Sequence, residues 1–187
     1  MRLLQAVNQI VTALGEHRVD SIETQNPTVN LVLQALQDAN RTLQTRGWWF
    51  NRYEDKLYKD VDGTIQLPHN ILQWTWKSHP SHIKGGMLVN SDTMSVNWDI
   101  PPNTPVTGEV VLLVPFEEVP EVFAQWVTHT ATATAYINDY GIEDVVQHYQ
   151  YLAARAESDV MREHLRHMRL RTTNHRSYHR ISRHIWR

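Results

Sequence analysis

Cysteine is absent from all 187 residues. That excludes a disulfide framework, thiolate metal sites and cysteine nucleophiles, and it suits a reducing compartment. Long apolar runs are missing too. None approaches the roughly 20 residues that a membrane-spanning helix needs, and the opening Met1-Arg2-Leu3-Leu4-Gln5 turns polar too soon for a signal peptide. The expectation is a soluble chain made in a cytoplasm, with no membrane partner. Several chemical signatures are also lacking: there is no Gly-x-Ser-x-Gly, no phosphate loop, no dinucleotide fingerprint and no His-Glu-x-x-His. Finally, lysine is absent from the last 26 residues, although that stretch is the most basic in the chain.

What is there is concentrated in that stretch. From Arg162 to Arg187 the chain carries eight arginines, five histidines and a single acid, Glu163. Ten basic and nineteen acidic residues remain in 1–161, so the body is near −9 and the end near +7, although the total is only −2. The net charge therefore describes neither part. Tyr178, Ile181, Ile185 and Trp186 are interleaved with the arginines, which gives this end apolar anchors as well as charge. Arginine without lysine suits shaped, bidentate contacts more than a diffuse patch. Such an end is built to lie on something, either nucleic acid or the surface of another protein.

The periodicity predicts helices at both ends of the body and strands between them. Leu3, Val7, Ile10, Val11 and Leu14 recur at helical spacing, with Gly15 as a left-handed stop. A second helix has Asn26 as its cap and Pro27 in its first turn, runs through Val29, Val32, Leu33, Leu36, Ala39 and Leu43, and stops by Gly47. In residues 53–114, Asp62-Gly63 signals a hairpin ahead of the alternating Thr64–Leu67, and Ile71–Trp76, Met87–Val89, Met94–Trp98 and Val106–Val114 are further strand candidates. Then Glu117, Glu118 and Glu121 surround Pro120 at a helix start. The stripe of that helix is Val119, Val122, Phe123, Trp126, Val127, Thr130, Thr134 and Ile137. After Tyr140-Gly141 a last helix carries Ile142, Val145, Val146, Tyr149, Leu152, Ala153, Ala156 and Val160 towards about Met168. The fold class is accordingly α+β: an antiparallel helical bundle of two N-terminal and two C-terminal helices, an inserted small antiparallel β-subdomain and an extended C-terminal tail. The expected parts are an N-terminal helical pair (1–52), a β-rich insert (53–115), a C-terminal helical pair completing the bundle (116–170) and an extended basic tail (171–187).

Candidate chemistry is thin. His164 and His167, or His175 and His179, have helical spacing for a metal, but arginines surround them and would repel a cation. Histidines in a basic contact strip are the better reading, so no metal and no cofactor are expected. Glu54/Asp55 and Glu117/Glu118/Glu121 offer carboxylates for glycan cleavage, yet the second group already suits a helix start. No catalytic residue stands out. Trp48-Trp49-Phe50 could stack on sugars or bases, but adjacent aromatics at a helix–strand junction more often bury.

The motifs together resemble a known family. Ala6-Val7-Asn8-Gln9-Ile10 through Leu14-Gly15-Glu16, with Val19 and Ser21, is similar to the opening of the tail tubular protein A family, the head-to-tail adaptors of T7-like short-tailed phages. The match resumes at Gln44-Thr45-Arg46-Gly47-Trp48-Trp49-Phe50-Asn51, its most specific block. It continues at Leu67-Pro68, at Phe116 to Phe123 and at Gly141-Ile142-Glu143, so it covers residues 6–160 in order. The resemblance implies a structural virion protein and no enzyme. It implies a ring, typically of twelve copies, between the portal protein and the tail nozzle protein. DNA would pass through this ring, and tail fibres are a further candidate partner. The Arg/His-rich end departs from the family pattern. On this reading the portal contact begins at Arg162, Arg166 and Arg169 and extends through Arg171, Arg176, Tyr178, Arg180, Ile181, Arg183, Ile185, Trp186 and Arg187. The alternatives are a nucleic-acid-binding protein using the same arginines on phosphates and, less favoured, a tail-borne glycan hydrolase.

Overall fold

The computed structural model of the chain describes residues 1–23 and 26–173, with side chains as far as Met168. Its elements run α1 (Leu3–Ala13), α2 (Pro27–Gln44), β1 (Arg52–Leu57), β2 (Ile71–Trp76), β3 (Ser81–Lys84), β4 (Met87–Asn90), β5 (Val106–Leu112), α3 (Glu121–Tyr140) and α4 (Asp144–Thr173). The chain is α+β, with four helices and small antiparallel sheets among the described residues. It divides into two compact units. One comprises Met1–Asn40 and the chain from Phe116 onward, and the other Arg41–Pro115.

The helical unit is organised around α3, which packs against both α1 and α4. α1 buries Ala6, Val7, Ile10 and Val11 and ends at Leu14, after which Gly15 takes φ 81°, the left-handed region that glycine enters without strain. At the start of α2 the Asn26 side chain accepts from Thr28 N at 2.9 Å, the expected cap ahead of Pro27. Val29, Val32, Ala35, Leu36 and Ala39 form its buried face in this unit. In α3 the expected stripe is right in its first half and wrong in its second. Phe123, Trp126 and Val127 are buried, but Thr134 and Ile137 are exposed, and burial shifts to Ala131, Thr132, Ala133 and Ala135. The small residues explain this, because an Ala/Thr run lets neighbours approach on more than one face. The buried hydroxyls bond along their own helix, Thr128 to Ala124 O and Thr132 to Thr128 O, both at 2.7 Å. Gly141, at φ 88°, then turns the chain into α4.

The β unit holds a three-stranded antiparallel sheet, β1-β5-β2, and a hairpin, β3-β4. Gly85 and Gly86, both with positive φ, form the two-residue turn of that hairpin, the conformation a right-twisted hairpin prefers. The core is Ile65, Leu67, Trp74, Leu88, Trp98, Val106 and Val110. Trp74 lies across Gly108, where any Cβ would stand 2.3 Å from the indole, so this strand glycine makes room for a ring. Each buried indole N–H has a partner: Trp48 donates to Leu43 O at 2.7 Å, Trp74 to Ser81 Oγ at 3.0 Å and Trp98 to Leu88 O at 2.9 Å.

Two of the strand expectations change. Thr64–Leu67 is not a strand: it makes one bridge, Gln66 to Met87, and Pro68 follows without an N–H to continue the ladder. Met94–Trp98 likewise makes only the Asn90–Ser95 bridge, because Met94 sits at φ 54° and breaks the extended run. In their place stand β1 and β3, whose charged or short sequences give little strand signal. β1 pairs only with β5 and is dense in charge, as exposed edges often are. α4 also continues to Thr173, so 171–173 are helical rather than extended. Met, Arg and Leu are good helix formers, and a formed helix propagates without needing an apolar stripe.

Candidate functional site

Two places in the sequence carry candidate function: the Gln44–Asn51 block and the basic end. The first is a structural knot in the β unit. Gln44 and Asn51 are both fully buried. The Gln44 side chain donates to Val114 O and accepts from Val114 N, both at 2.8 Å. Asn51 accepts from Trp48 N at 2.7 Å and donates to Gln44 O at 3.1 Å and Leu112 O at 3.0 Å. Gly47, at φ 72°, allows the chain to fold back here, with Arg52 Cδ and Val111 Cγ2 only 3.0 and 3.1 Å from where a Cβ would stand. The block thus ties the last turn of α2 to the outgoing end of β5. Trp48 is buried in it, while Trp49 and Phe50 are half-buried and meet edge to face at 5.2 Å. The side chains of this block are spent on backbone groups and packing.

Four of the five carboxylate candidates are also occupied. Glu54 pairs with Lys77, and Asp55, its neighbour on β1, points to the opposite sheet face and accepts from Lys56 N. Glu117 accepts from Leu3 N at 3.0 Å, and Glu121 binds the Met1 ammonium at 2.7 Å. Among the described residues no group of three His, Asp or Glu side chains converges as metal ligands would.

The basic end begins on α4. The first part of this helix buries Val146, Ala156 and Val160. Beyond Val160 no described side chain of α4 is buried, and Met161, Arg162, Leu165, Arg166, His167 and Met168 are all exposed. Arg162 donates to Asp159 at 2.7 Å and Arg166 to Glu163 at 3.1 Å, each one turn back, and His167 lies 3.6 Å from Glu163. Exposed pairs of this kind contribute little to stability, so the guanidiniums can exchange these partners for others. Arg169 and Arg171 lie on α4 in its last turn, and their side chains fall outside the described set. Arg176, Tyr178, Arg180, Ile181, Arg183, Ile185, Trp186 and Arg187 lie outside the described residues, as do His175 and His179. The structure therefore brings Arg162 and Arg166 together on one outward face and leaves the rest of the strip unplaced.

The sequence reading missed the apolar company of these arginines. Met161, Leu165 and Met168 share a different face, about 100° round the helix from buried Val160, and all three are exposed. At the other end of α4, Ile142 and Val145 were assigned to the stripe and are exposed as well. Periodicity reports a face; it does not report whether a neighbour in the same chain covers it.

Comparison with known proteins is consistent along the whole chain. The family model of the tail tubular proteins matches residues 4–177. Tail tubular protein A of Klebsiella phage KP34 is 37% identical over 185 residues, covering 98% of this chain and 97% of that protein.

Proposed function

Because the chain belongs to the tail tubular protein family, structural components of the phage virion tail, we propose that it is the head-to-tail adaptor: a ring of copies that joins the portal to the tail nozzle. The observation that carries this reading is the basic end of α4. A helix that leaves its own domain unburied after Val160, with Arg162 and Arg166 facing outward and a further six arginines to follow, needs an acidic, shaped surface to lie against. The portal supplies that surface. Arg162, Arg166 and Arg169 begin the contact from the helix. Arg171, Arg176, Arg180, Arg183 and Arg187, with Tyr178, Ile181, Ile185 and Trp186 as anchors, extend it.

The remaining parts take mechanical roles. The helical pairs within 1–52 and 116–170 form the wall of the ring, with twelve copies by family resemblance. DNA passes through the ring. The task needs no catalytic group, and of the candidate carboxylates Glu54, Asp55, Glu117 and Glu121 already bind a lysine, backbone amides or an ammonium.

The test compares full-length chain with one ending at Leu170 for binding to the purified portal of the same phage. Full-length protein is expected to bind and the shortened chain to lose binding, while both give the same far-ultraviolet spectrum. Trp186→Ala should weaken portal binding at fixed salt. Unchanged affinity of the shortened chain would remove the basic end from the interface. Tight binding to bare DNA that collapses with salt, without portal binding, would favour the nucleic-acid reading.

A further inference from the structure

The opening of the chain plays no part in the portal contact, yet it builds a polar groove. The groove has a volume of about 470 Å³ and is lined by Gln5, Asn8, Gln9, Thr12 and Arg18. Its floor is one face of α1. Residues at i, i+3, i+4 and i+7 share a helix face, so Gln5, Asn8, Gln9 and Thr12 stand together, opposite the buried Ala6, Val7, Ile10 and Val11. Its wall is the chain that returns after Gly15. The Asn8 side chain holds that return, accepting from Val19 N at 2.7 Å and donating to Val19 O at 2.8 Å. The Thr12 hydroxyl donates to Asn8 O at 2.7 Å. Asn8 and Thr12 are thereby committed. Gln5, Gln9 and Arg18 are exposed and make no hydrogen bond or ion pair among the described residues. Glu16 and Asp20, the acids nearest Arg18 in sequence, do not line the groove.

Asn8 and Val19 show the chemistry this face performs. A primary amide donates and accepts at once, so it meets the N–H and C=O of one residue as a neighbouring strand would. Gln5 and Gln9 carry the same group, one helical turn or roughly 6 Å apart. Every second residue of an extended chain turns its N–H and C=O to the same side, at a repeat of roughly 6.6 Å. Two glutamines one turn apart therefore match two such residues. Arg18, with no carboxylate of its own, adds an anion site, and a guanidinium takes a carboxylate as a bidentate pair. One guanidinium is too little for a nucleic-acid backbone, whose binding gathers many phosphate contacts. The volume is within the roughly 300–1,000 Å³ of ligand sites, but the lining is polar where small-molecule sites are mostly apolar. That lining suits a peptide backbone.

We propose that this groove binds an extended acidic peptide segment of another protein, with Gln5 and Gln9 on its backbone and Arg18 on an Asp or Glu side chain. The site uses neither α4 nor the basic end, so it stands or falls independently of the portal contact.

The probe is a library of random decapeptides. It is first cleared on the full-length Arg18→Glu chain, which keeps the basic end, and then selected on the full-length wild type. The expected result is a set of sequences that share an Asp or Glu. Their affinity should fall by about tenfold for the Gln5→Ala/Gln9→Ala double variant. That variant should keep the wild-type far-ultraviolet spectrum, because both side chains are exposed and bonded to nothing in the fold. In proton–nitrogen spectra the side-chain amide signals of Gln5 and Gln9 should shift as a selected peptide is added. No enriched sequence, or enriched sequences that share no acid, would overturn the proposal. So would selected peptides that bind the double variant as tightly as the wild type. A single-stranded oligonucleotide that displaces them from the wild type overturns the peptide assignment in favour of nucleic acid.

Discussion

The two units build their cores by different means. In the helical unit α3 buries Ala124, Ala131, Ala133 and Ala135, with Thr128 and Thr132 bonded to their own helix, so small side chains let three helices approach one another. In the β unit the core is organised by large rings, Trp74 and Trp98, each with its N–H satisfied and one of them seated over a glycine. The first strategy stabilises by closeness and tolerates little added volume. The second buries much area per residue but depends on a partner for every indole N–H. The difference suits the proposed division of labour: a stiff helical wall, and an insert whose short strands can vary.

The largest effect is expected where the helical unit does use a large ring. Trp126 is 3% exposed and meets Phe123 edge to face at 5.7 Å. Trp126→Ala should cost about 3–5 kcal/mol in chemical denaturation; a negligible loss would mean this face is not core. Next come two tests of closeness. Gly108→Ala places a carbon within 2.3 Å of the Trp74 ring, and should cost about 1–3 kcal/mol with a shift in tryptophan emission. Ala135→Leu should cost a similar amount in the helical unit, where Ala135 is fully buried. If Ala135→Leu is neutral, the helices are not closely packed there and the contrast fails. Trp98→Phe keeps a ring but leaves Leu88 O without its indole donor, and should cost about 1–3 kcal/mol.

The smallest effect is a pH dependence in the helical unit. His129 is held below its ordinary value of 6.5, first by burial and then by the charge of His148 across the α3–α4 seam. Its Nδ1 has no hydrogen-bond partner among the described residues. The folded state therefore resists a proton that the unfolded chain accepts. Its contribution is fully present above about pH 6.5 and is lost as pH falls from there towards the lower folded value. Urea midpoints at neutral and mildly acid pH should converge more for His129→Leu than for the wild type; equal acid sensitivity would clear His129 of the effect.

Much of the fold was legible because its signals are local. Asn26-Pro27, Gly15 and Gly141 mark helix boundaries through capping and positive φ, which a sequence shows directly. β1 and β3 were not legible, since Arg52–Leu57 is a charged edge and Ser81–Lys84 is short, and each becomes a strand through its partner. The second half of the α3 stripe was misread because alanine and threonine carry little hydrophobic contrast. Of the candidate site, the charge was plain from composition. The exposure of Ile142, Met161 and Leu165 was not, because hydrophobicity along a helix does not say which face the same chain covers.

The measurement that tests the adaptor most directly is electron cryo-microscopy of the assembled tail with portal attached. The account predicts that this chain forms a closed ring between portal and nozzle, with the Arg162–Arg166 face of α4 against the portal. Density for the chain elsewhere in the virion, or in the ring with that face of α4 turned to solvent, would contradict it.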